Sequence, residues 1–314
     1  MSIFASAIME NNTHLRGRFA PSPSGRMHLG NVYSAIISYL SVKSRGGEWV
    51  VRIEDLDRQR CKPENAALLL SDLDWLGLSS DAPIIYQSKR DDIYAEALSK
   101  LAARGLTYGC FCRRADILSA QAPHESDGRV VYSGKCKNLS SSELLALSKV
   151  RQPATRVVVP NADIAFTDGH YGKQCINLAH HCGDFIVRRA DGNFAYQLSV
   201  VVDDAAQGIT EVVRGRDLLT STHQQIFLYQ QLELQVPQFW HLPLLVSDSG
   251  VRLAKRDKVP DMSALRQMFS PEQIIGKVMF LAHQQPSDLP MTLSEAVGIF
   301  SWNNVPMNDI ALSL

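Results

Sequence analysis

From Arg16 to Ile53 the chain reads strand, turn, helix, glycine stop, strand, an order that calls for a parallel sheet with a crossover helix. Arg16–Ala20 is a short first segment that meets the turn Pro21-Ser22-Pro23-Ser24-Gly25. A helix follows from about Gly30 to Arg45, with Val32, Ala35, Ile36, Tyr39 and Leu40 at helical spacing. Gly46-Gly47 ends it, and Trp49-Val50-Val51-Arg52-Ile53 is the next strand. A parallel sheet has to be covered on both faces, so the rest of the chain must supply helices and further strands, and the fold class is α/β.

Helices near Glu64–Leu76 and Arg90–Arg104 continue this pattern. From about Leu106 to Arg188 it changes to cysteines, glycines, serines and short β-like runs such as Thr155–Val159, which read as an insertion. Apolar strands at Phe194–Val202, Ile209–Val213 and Leu242–Val246 resume the sheet, and the segment from Asp261 is mostly helical. The expected organisation is a tail at 1–15, two halves of one α/β domain at 16–105 and 189–260, an insertion at 106–188 and a helical segment at 261–314.

The chain has 314 residues, room for about two domains. Lys plus Arg and Asp plus Glu are both 32, and a zero balance argues against a protein that coats nucleic acid non-specifically while leaving room for a small RNA footprint. No apolar run is long enough to span a bilayer, and the start MSIFASAIMENN lacks a basic region and an extended apolar core, so the expected location is cytoplasmic. Six cysteines are too few for a disulfide scaffold here, and the clustering of Cys110, Cys112 and Cys136 suggests a metal instead.

Two constellations carry chemistry. In the first, Arg18-Phe19-Ala20-Pro21-Ser22-Pro23-Ser24-Gly25 leads to His28-Leu29-Gly30-Asn31 at a helix start. A helix N-terminus offers free N–H groups to a phosphate, His28 can hydrogen-bond a phosphate oxygen, and Gly30 lets a nucleotide approach the backbone. Alone, such a triplet is a surface turn with a histidine; inside a βαβ unit beside Pro-Ser-Pro-Ser-Gly it points to function. The second is Gly250-Val251-Arg252-Leu253-Ala254-Lys255-Arg256, which with Lys258 forms a basic loop after a strand. Such a loop can neutralise a polyphosphate, although taken alone it is a solvated charge run. A dinucleotide-type GxGxxG is absent, which argues against a nicotinamide enzyme.

In this order the two pieces resemble the class I aminoacyl-tRNA synthetases, with HLGN standing for the HIGH motif and RLAKR for the KMSKS motif. RFAPSPSG at 18–25, RIEDLD at 52–57, LDWLGL at 73–78, FAYQLSVVVDD at 194–204 and EVVRGRDLL at 211–219 are similar to the glutamate branch, and the resemblance runs from about Arg16 to Lys258. It implies a Rossmann-type catalytic domain, with the KMSKS-like loop in its second half, that activates L-glutamate with ATP and Mg²⁺. Only 59 residues follow Lys255, fewer than the roughly 100 of an anticodon-binding domain. That length resembles the shortened members of the branch, which transfer glutamate to the queuosine base in the anticodon of tRNA(Asp). The alternatives are a truncated enzyme that charges a tRNA 3′ end and a non-catalytic glutamate- or ATP-binding paralogue. Intact Arg18, His28, Glu54, Tyr196, Arg214 and Lys255 argue against the latter.

By resemblance, Arg18, Tyr196 and Arg214 hold the side-chain carboxylate of glutamate, Ser22 and Glu54 receive its ammonium, and Phe19, Ala20 and Pro21 complete the pocket. A guanidinium binds a carboxylate by charge-assisted, often bidentate bonds, which agrees with these roles. His28, Gly30, Asn31 and Lys255 are assigned to ATP, with His28 and Lys255 catalytic. Arg252 and Ala254 depart from the family, where Lys and Ser are commoner, which bears on loop closure. The thiols of Cys110, Cys112 and Cys136 near a glycine-bearing turn look like a structural zinc site. The family pattern adds Tyr132 as fourth ligand, with His124 or water as alternatives. Cys175, His180, His181 and Cys182 have no counterpart in that pattern and read as structural.

Overall fold

The computed structural model describes residues 14–113, 131–247 and 260–312. The front of the chain forms β1 (Arg16–Phe19), α1 (Leu29–Lys43), β2 (Glu48–Ile53), α2 (Pro63–Trp75), β3 (Ile85–Tyr86) and α3 (Asp91–Ala103). Next come β4 (Thr107–Cys110), α4 (Ser141–Ser148), β5 (Ala154–Val157), β6 (Asp163–Asp168), β7 (Gly172–Asn177), α5 (Leu178–His181) and β8 (Phe185–Arg188). The chain continues through α6 (Tyr196–Ala206), β9 (Glu211–Gly215), α7 (Leu219–Leu232), β10 (Gln238–Leu242) and β11 (Leu245–Ser247). After 260 it forms α8 (Met262–Met268), α9 (Pro271–Leu281), α10 (Leu293–Ile299) and β12 (Ile310–Leu312).

The βαβ unit sits at the centre of the molecule. His28 caps α1, its side chain accepting from the Gly30 backbone N–H while Asn31 reaches back to the His28 N–H. At the far end Gly46 adopts φ 70° and the Gly47 N–H bonds the Val42 carbonyl, which turns the chain straight into β2. The sheet has strand order β10-β9-β1-β2-β3 with every pairing parallel. Side chains alternate across it: Phe19, Trp49, Val51, Ile53 and Val213 pack with α1 and the helices after 260, whereas Val50, Val212 and Phe239 pack with α3, α6 and α7. Both faces are therefore covered, and neighbouring apolar residues such as Val50-Val51 and Val212-Val213 serve the two sides in turn.

Between 106 and 188 the chain leaves this sheet to form an antiparallel sheet of order β4-β5-β8 and the β6–β7 hairpin. The helices after 260 lie on the main core, and β12 pairs in parallel with β11. Trp302 stacks on Trp240 with centroids 4.5 Å apart and donates its indole N–H to Ser41 Oγ on α1.

Three local expectations change. Phe194–Val202, read as a strand, is largely helix α6; it lies between the sheet and its neighbouring helices, so it is apolar around much of its circumference and its period is hidden. Leu242–Val246 is two strands in two sheets, split at Pro243, which cannot donate to a ladder. The segment after 261 is helical as expected but closes with a strand. The tail to residue 13 lies outside the described residues.

Gly276 in α9 carries this packing to its limit, because a Cβ there would stand 2.0 Å from the Leu289 carbonyl oxygen. Gly276→Ala should destabilise the protein by about 1–3 kcal/mol through overpacking, read as a Tm several degrees lower by differential scanning calorimetry. An unchanged Tm would show that the helices after 260 do not bear on the core.

Candidate active site

Register places three arginines on one face of the sheet. Arg18 is level with Val50 on the neighbouring strand, and Gly17 is level with Glu211, so Arg18 (β1), Arg52 (β2) and Arg214 (β9) all point toward the α6–α7 side near the carboxyl ends of their strands. That end of an open parallel sheet is where such folds bind ligands. All three are buried, with Arg52 at 0% exposure. A row of cations without water survives only with anions built in. Helix α6 supplies them: Asp204 accepts from Arg52 Nη1 at 2.7 Å and from Arg18 Nε and Nη2 at 3.3 and 3.4 Å. Asp203 takes Arg90 Nε and the hydroxyl of Tyr94, each at 2.7 Å. Glu54, just past β2, accepts from Arg52 Nη2 at 3.2 Å.

Titration follows from this arrangement. Burial pushes the Asp204 carboxyl up, but Arg18 and Arg52 outweigh it and the group ends below the ordinary carboxylate range. At Glu54 burial wins against the same two guanidinium groups, and its carboxyl is raised. Burial lowers Arg214, and it raises the Tyr196 hydroxyl, which accepts from Arg214 Nη1 at 3.3 Å.

Around this row opens a cavity of about 500 Å³. Arg18, Phe19, Ala20, Pro21, Ser22, Glu54, Tyr196 and Arg214 line one part of it, and His28, Gly30 and Asn31 line another, so apart from Lys255 the residues assigned to the two substrates share one space. Because His28 Nδ1 accepts the Gly30 N–H at 3.1 Å, the neutral ring carries its proton on Nε2 as a hydrogen-bond donor. Glycine at position 30 permits this fold-back, since a Cβ would lie 3.0 Å from the ring. Lys255, with Arg252 and Ala254, falls outside the described residues, as does His124. The chain returns beside the cavity where Met262 N–H bonds the Met27 carbonyl.

The ligand atoms of Cys110, Cys112 and Cys136 lie within 4.8 Å of one another, and Tyr132 Oη stands 3.4 Å from Cys110 Sγ and 3.7 Å from Cys112 Sγ. A tetrahedral zinc–thiolate centre needs sulfur atoms roughly 3.8 Å apart, so three sulfurs and this phenol fit a metal. Arg156 lies 3.7 Å over the Tyr132 ring.

Arg52 and Glu54 are both buried, and β2 is internal to the sheet. Sequence reasoning missed Asp204, although it stands inside a string quoted for the resemblance, and also missed Thr222, which accepts from Arg214 Nη2 at 2.8 Å, and His241, which accepts from its Nε at 3.2 Å. Two buried acids at the end of an apolar run were the available signal for Asp203 and Asp204; nothing local marks Thr222 or His241.

The class of protein follows from the family model for the catalytic domain of tRNA synthetases class I (E and Q), which matches residues 14–286, a span that holds the parallel sheet, the capped helix and the arginine row. Glutamyl-Q tRNA(Asp) synthetase of Thiobacillus denitrificans is 44% identical over 273 residues, 87% of each chain, and that of Neisseria meningitidis is 42% identical over 298 residues, 94% of this chain and 98% of the relative. The crystal structure of a glutamate tRNA ligase from Elizabethkingia meningosepticum in complex with its amino acid superposes with a TM-score of 0.81 at 27% identity, covering 95% of this chain and 67% of that one. The chain belongs to the glutamyl-Q tRNA(Asp) synthetases within this class.

Removing the Asp204 carboxylate leaves two buried guanidinium groups short of their anion, so Asp204→Ala should cost about 3–5 kcal/mol. Since the folded pKa is depressed, the carboxylate's stabilisation is complete above its unfolded value of about 3.9 and is lost as pH falls through the lower folded value. Denaturant melts of wild type and Asp204→Asn should therefore differ at pH 7 and converge in acid. A constant gap from pH 7 to 2 would contradict this.

Proposed function

We propose that the chain activates L-glutamate with ATP and transfers it to the queuosine base of the tRNA(Asp) anticodon. The observation that carries this is Arg214: it lines the cavity with Arg18, and its hydrogen bonds go to the uncharged Tyr196, Thr222 and His241, whereas Arg18 is held by the Asp204 carboxylate. Free glutamate carries one net negative charge, and glutamine carries none. Relatives above 40% identity are named for this reaction, and they match along most of their length.

On this reading Arg18, Tyr196 and Arg214 hold the side-chain carboxylate. Glu54 and Ser22 take the ammonium, and the backbone from Phe19 to Pro21 closes around the substrate. The α-carboxylate oxygen attacks the α-phosphorus of ATP and pyrophosphate leaves. His28 donates from Nε2, and it works with Lys255 to balance charge on the phosphates, while Gly30 and Asn31 sit at the helix terminus that faces them. Mg²⁺ bound with ATP supplies further neutralisation. A hydroxyl of the queuosine cyclopentene diol then attacks the acyl carbon of the adenylate and AMP leaves.

Cys110, Cys112, Tyr132 and Cys136 suit a structural zinc ion, which would order the 106–188 insertion at a distance from the chemistry. This reading divides the chain into a catalytic domain of two halves, 16–105 and 189–260, interrupted by that insertion and followed by the 261–314 segment. The location that goes with this reading is cytoplasmic; among the described residues no helix is long and apolar enough to cross a membrane.

Purified protein without RNA should catalyse glutamate-dependent ATP–pyrophosphate exchange, and labelled glutamate should then pass to tRNA(Asp) containing queuosine but not to a transcript lacking it. Label on the 3′-terminal adenosine would instead make the chain a 3′-end charging enzyme. No exchange under any condition would make it a binding protein.

A further inference from the structure

Behind the cavity stands a second buried chain of polar groups that the activation step does not use. His241 on β10 lies directly opposite Arg214 in the parallel β9–β10 register, so the two backbones hold these side chains next to each other on the same face of the sheet. His241 has 0% exposure. Its Nδ1 stands 2.6 Å from Asp168 Oδ2, and its Nε2 stands 3.2 Å from Arg214 Nε and 3.2 Å from the Thr222 hydroxyl, which can donate or accept. An ionised carboxylate only accepts and a guanidinium only donates. The imidazole proton must therefore be on Nδ1, which leaves Nε2 bare for the Arg214 N–H. A doubly protonated ring would set one N–H against another, and burial, outweighing the pull of Asp168, pushes the His241 pKa down to about 4.

Asp168 is itself fixed. It ends β6, and its Oδ1 accepts the backbone N–H groups of His170 at 3.0 Å, Tyr171 at 2.9 Å and His241 at 3.3 Å. The His241 ring stacks on Phe239 at 15°, and the Arg214 guanidinium carbon lies 5.2 Å over the same ring. Protein acceptors thus occupy three N–H donors of Arg214, at His241, Thr222 and Tyr196, and its other donors remain for a ligand in the cavity.

The spacing of charge matters as much as the orientation. Asp204 is an anion placed directly against Arg18, as it is against Arg52. Asp168 acts on Arg214 only through a neutral ring, so the arginine is oriented without an anion placed on it.

We propose that Asp168 and His241 are positioning residues for the substrate-carboxylate site: they lock one imidazole tautomer, and that tautomer aims Arg214 at the side-chain carboxylate of glutamate. This rests on Arg214 being a carboxylate ligand, so the test must separate the two claims. Asp168→Asn keeps an acceptor for the turn amides but offers an NH₂ group to His241 Nδ1, which moves the ring proton to Nε2, against Arg214. In ATP–pyrophosphate exchange the KM for glutamate should rise by about tenfold or more, while kcat and the KM for ATP stay within about threefold. The ¹⁵N shifts of His241, assigned by their loss in His241→Gln, should switch tautomer. His241→Gln, with an oxygen near the Nε2 position, should recover part of the affinity that His241→Leu loses.

Arg214→Ala is the control. If it leaves the glutamate KM unchanged, the assignment of Arg214 is wrong; if it raises KM and Asp168→Asn does not, the relay alone is wrong. Equal losses in the Gln and Leu variants, or a parallel loss of kcat and ATP affinity in Asp168→Asn, would reduce both residues to folding elements and overturn the proposal. Should Asp168→Asn fail to fold, the Gln and Leu pair decides.

Discussion

The buried Arg52–Asp204–Arg18 cluster is the constraint on which the rest of the site depends. Charges without water are costly, and this cluster persists because each member has a close partner of opposite sign. Its contacts join β1 and β2 to helix α6 across up to 186 residues of sequence. The strands cannot close on α6 in another register without stranding an ion. The cluster therefore fixes the fold at the point where the cavity opens, and Arg214 beside it is held by uncharged partners on the cavity wall.

The remaining elements support that centre from outside. The β6–β7 hairpin brings Asp168 to the back of the β9–β10 pair, and Gly169 allows it, since a Cβ there would meet the Trp240 ring at 2.2 Å. The segment after 260 reaches the cavity wall through Asp309, whose carboxylate takes the Leu244 N–H and the Nε and Nη2 donors of Arg216. Trp302 ties the same segment to α1.

Most of the front half was legible because its signals are local. The turn Pro21–Gly25, the capped helix at His28 and the glycine stop at Gly46 each dictate a backbone path within a few residues, and the chain takes it. The α6 helix was not legible, because burial on several sides removes the polar stripe that would show its period. The hydrogen-bond chain behind Arg214 was invisible for another reason: Asp168, Thr222 and His241 are brought together by strand pairing and helix packing, and residues 73 positions apart leave no mark in the local pattern. Contiguous motifs predicted which residues line the cavity, while only the fold reveals what holds them in place.

The most direct measurement is calorimetric titration of the purified protein with glutamate and with glutamine, side by side at pH 7. If Arg18 and Arg214 select the ligand, glutamate binds and glutamine binds at least about a hundredfold more weakly, because an amide leaves buried guanidinium donors poorly paired. Equal affinities would contradict that, and the arginine row would then be a structural feature of the sheet with no part in choosing the amino acid.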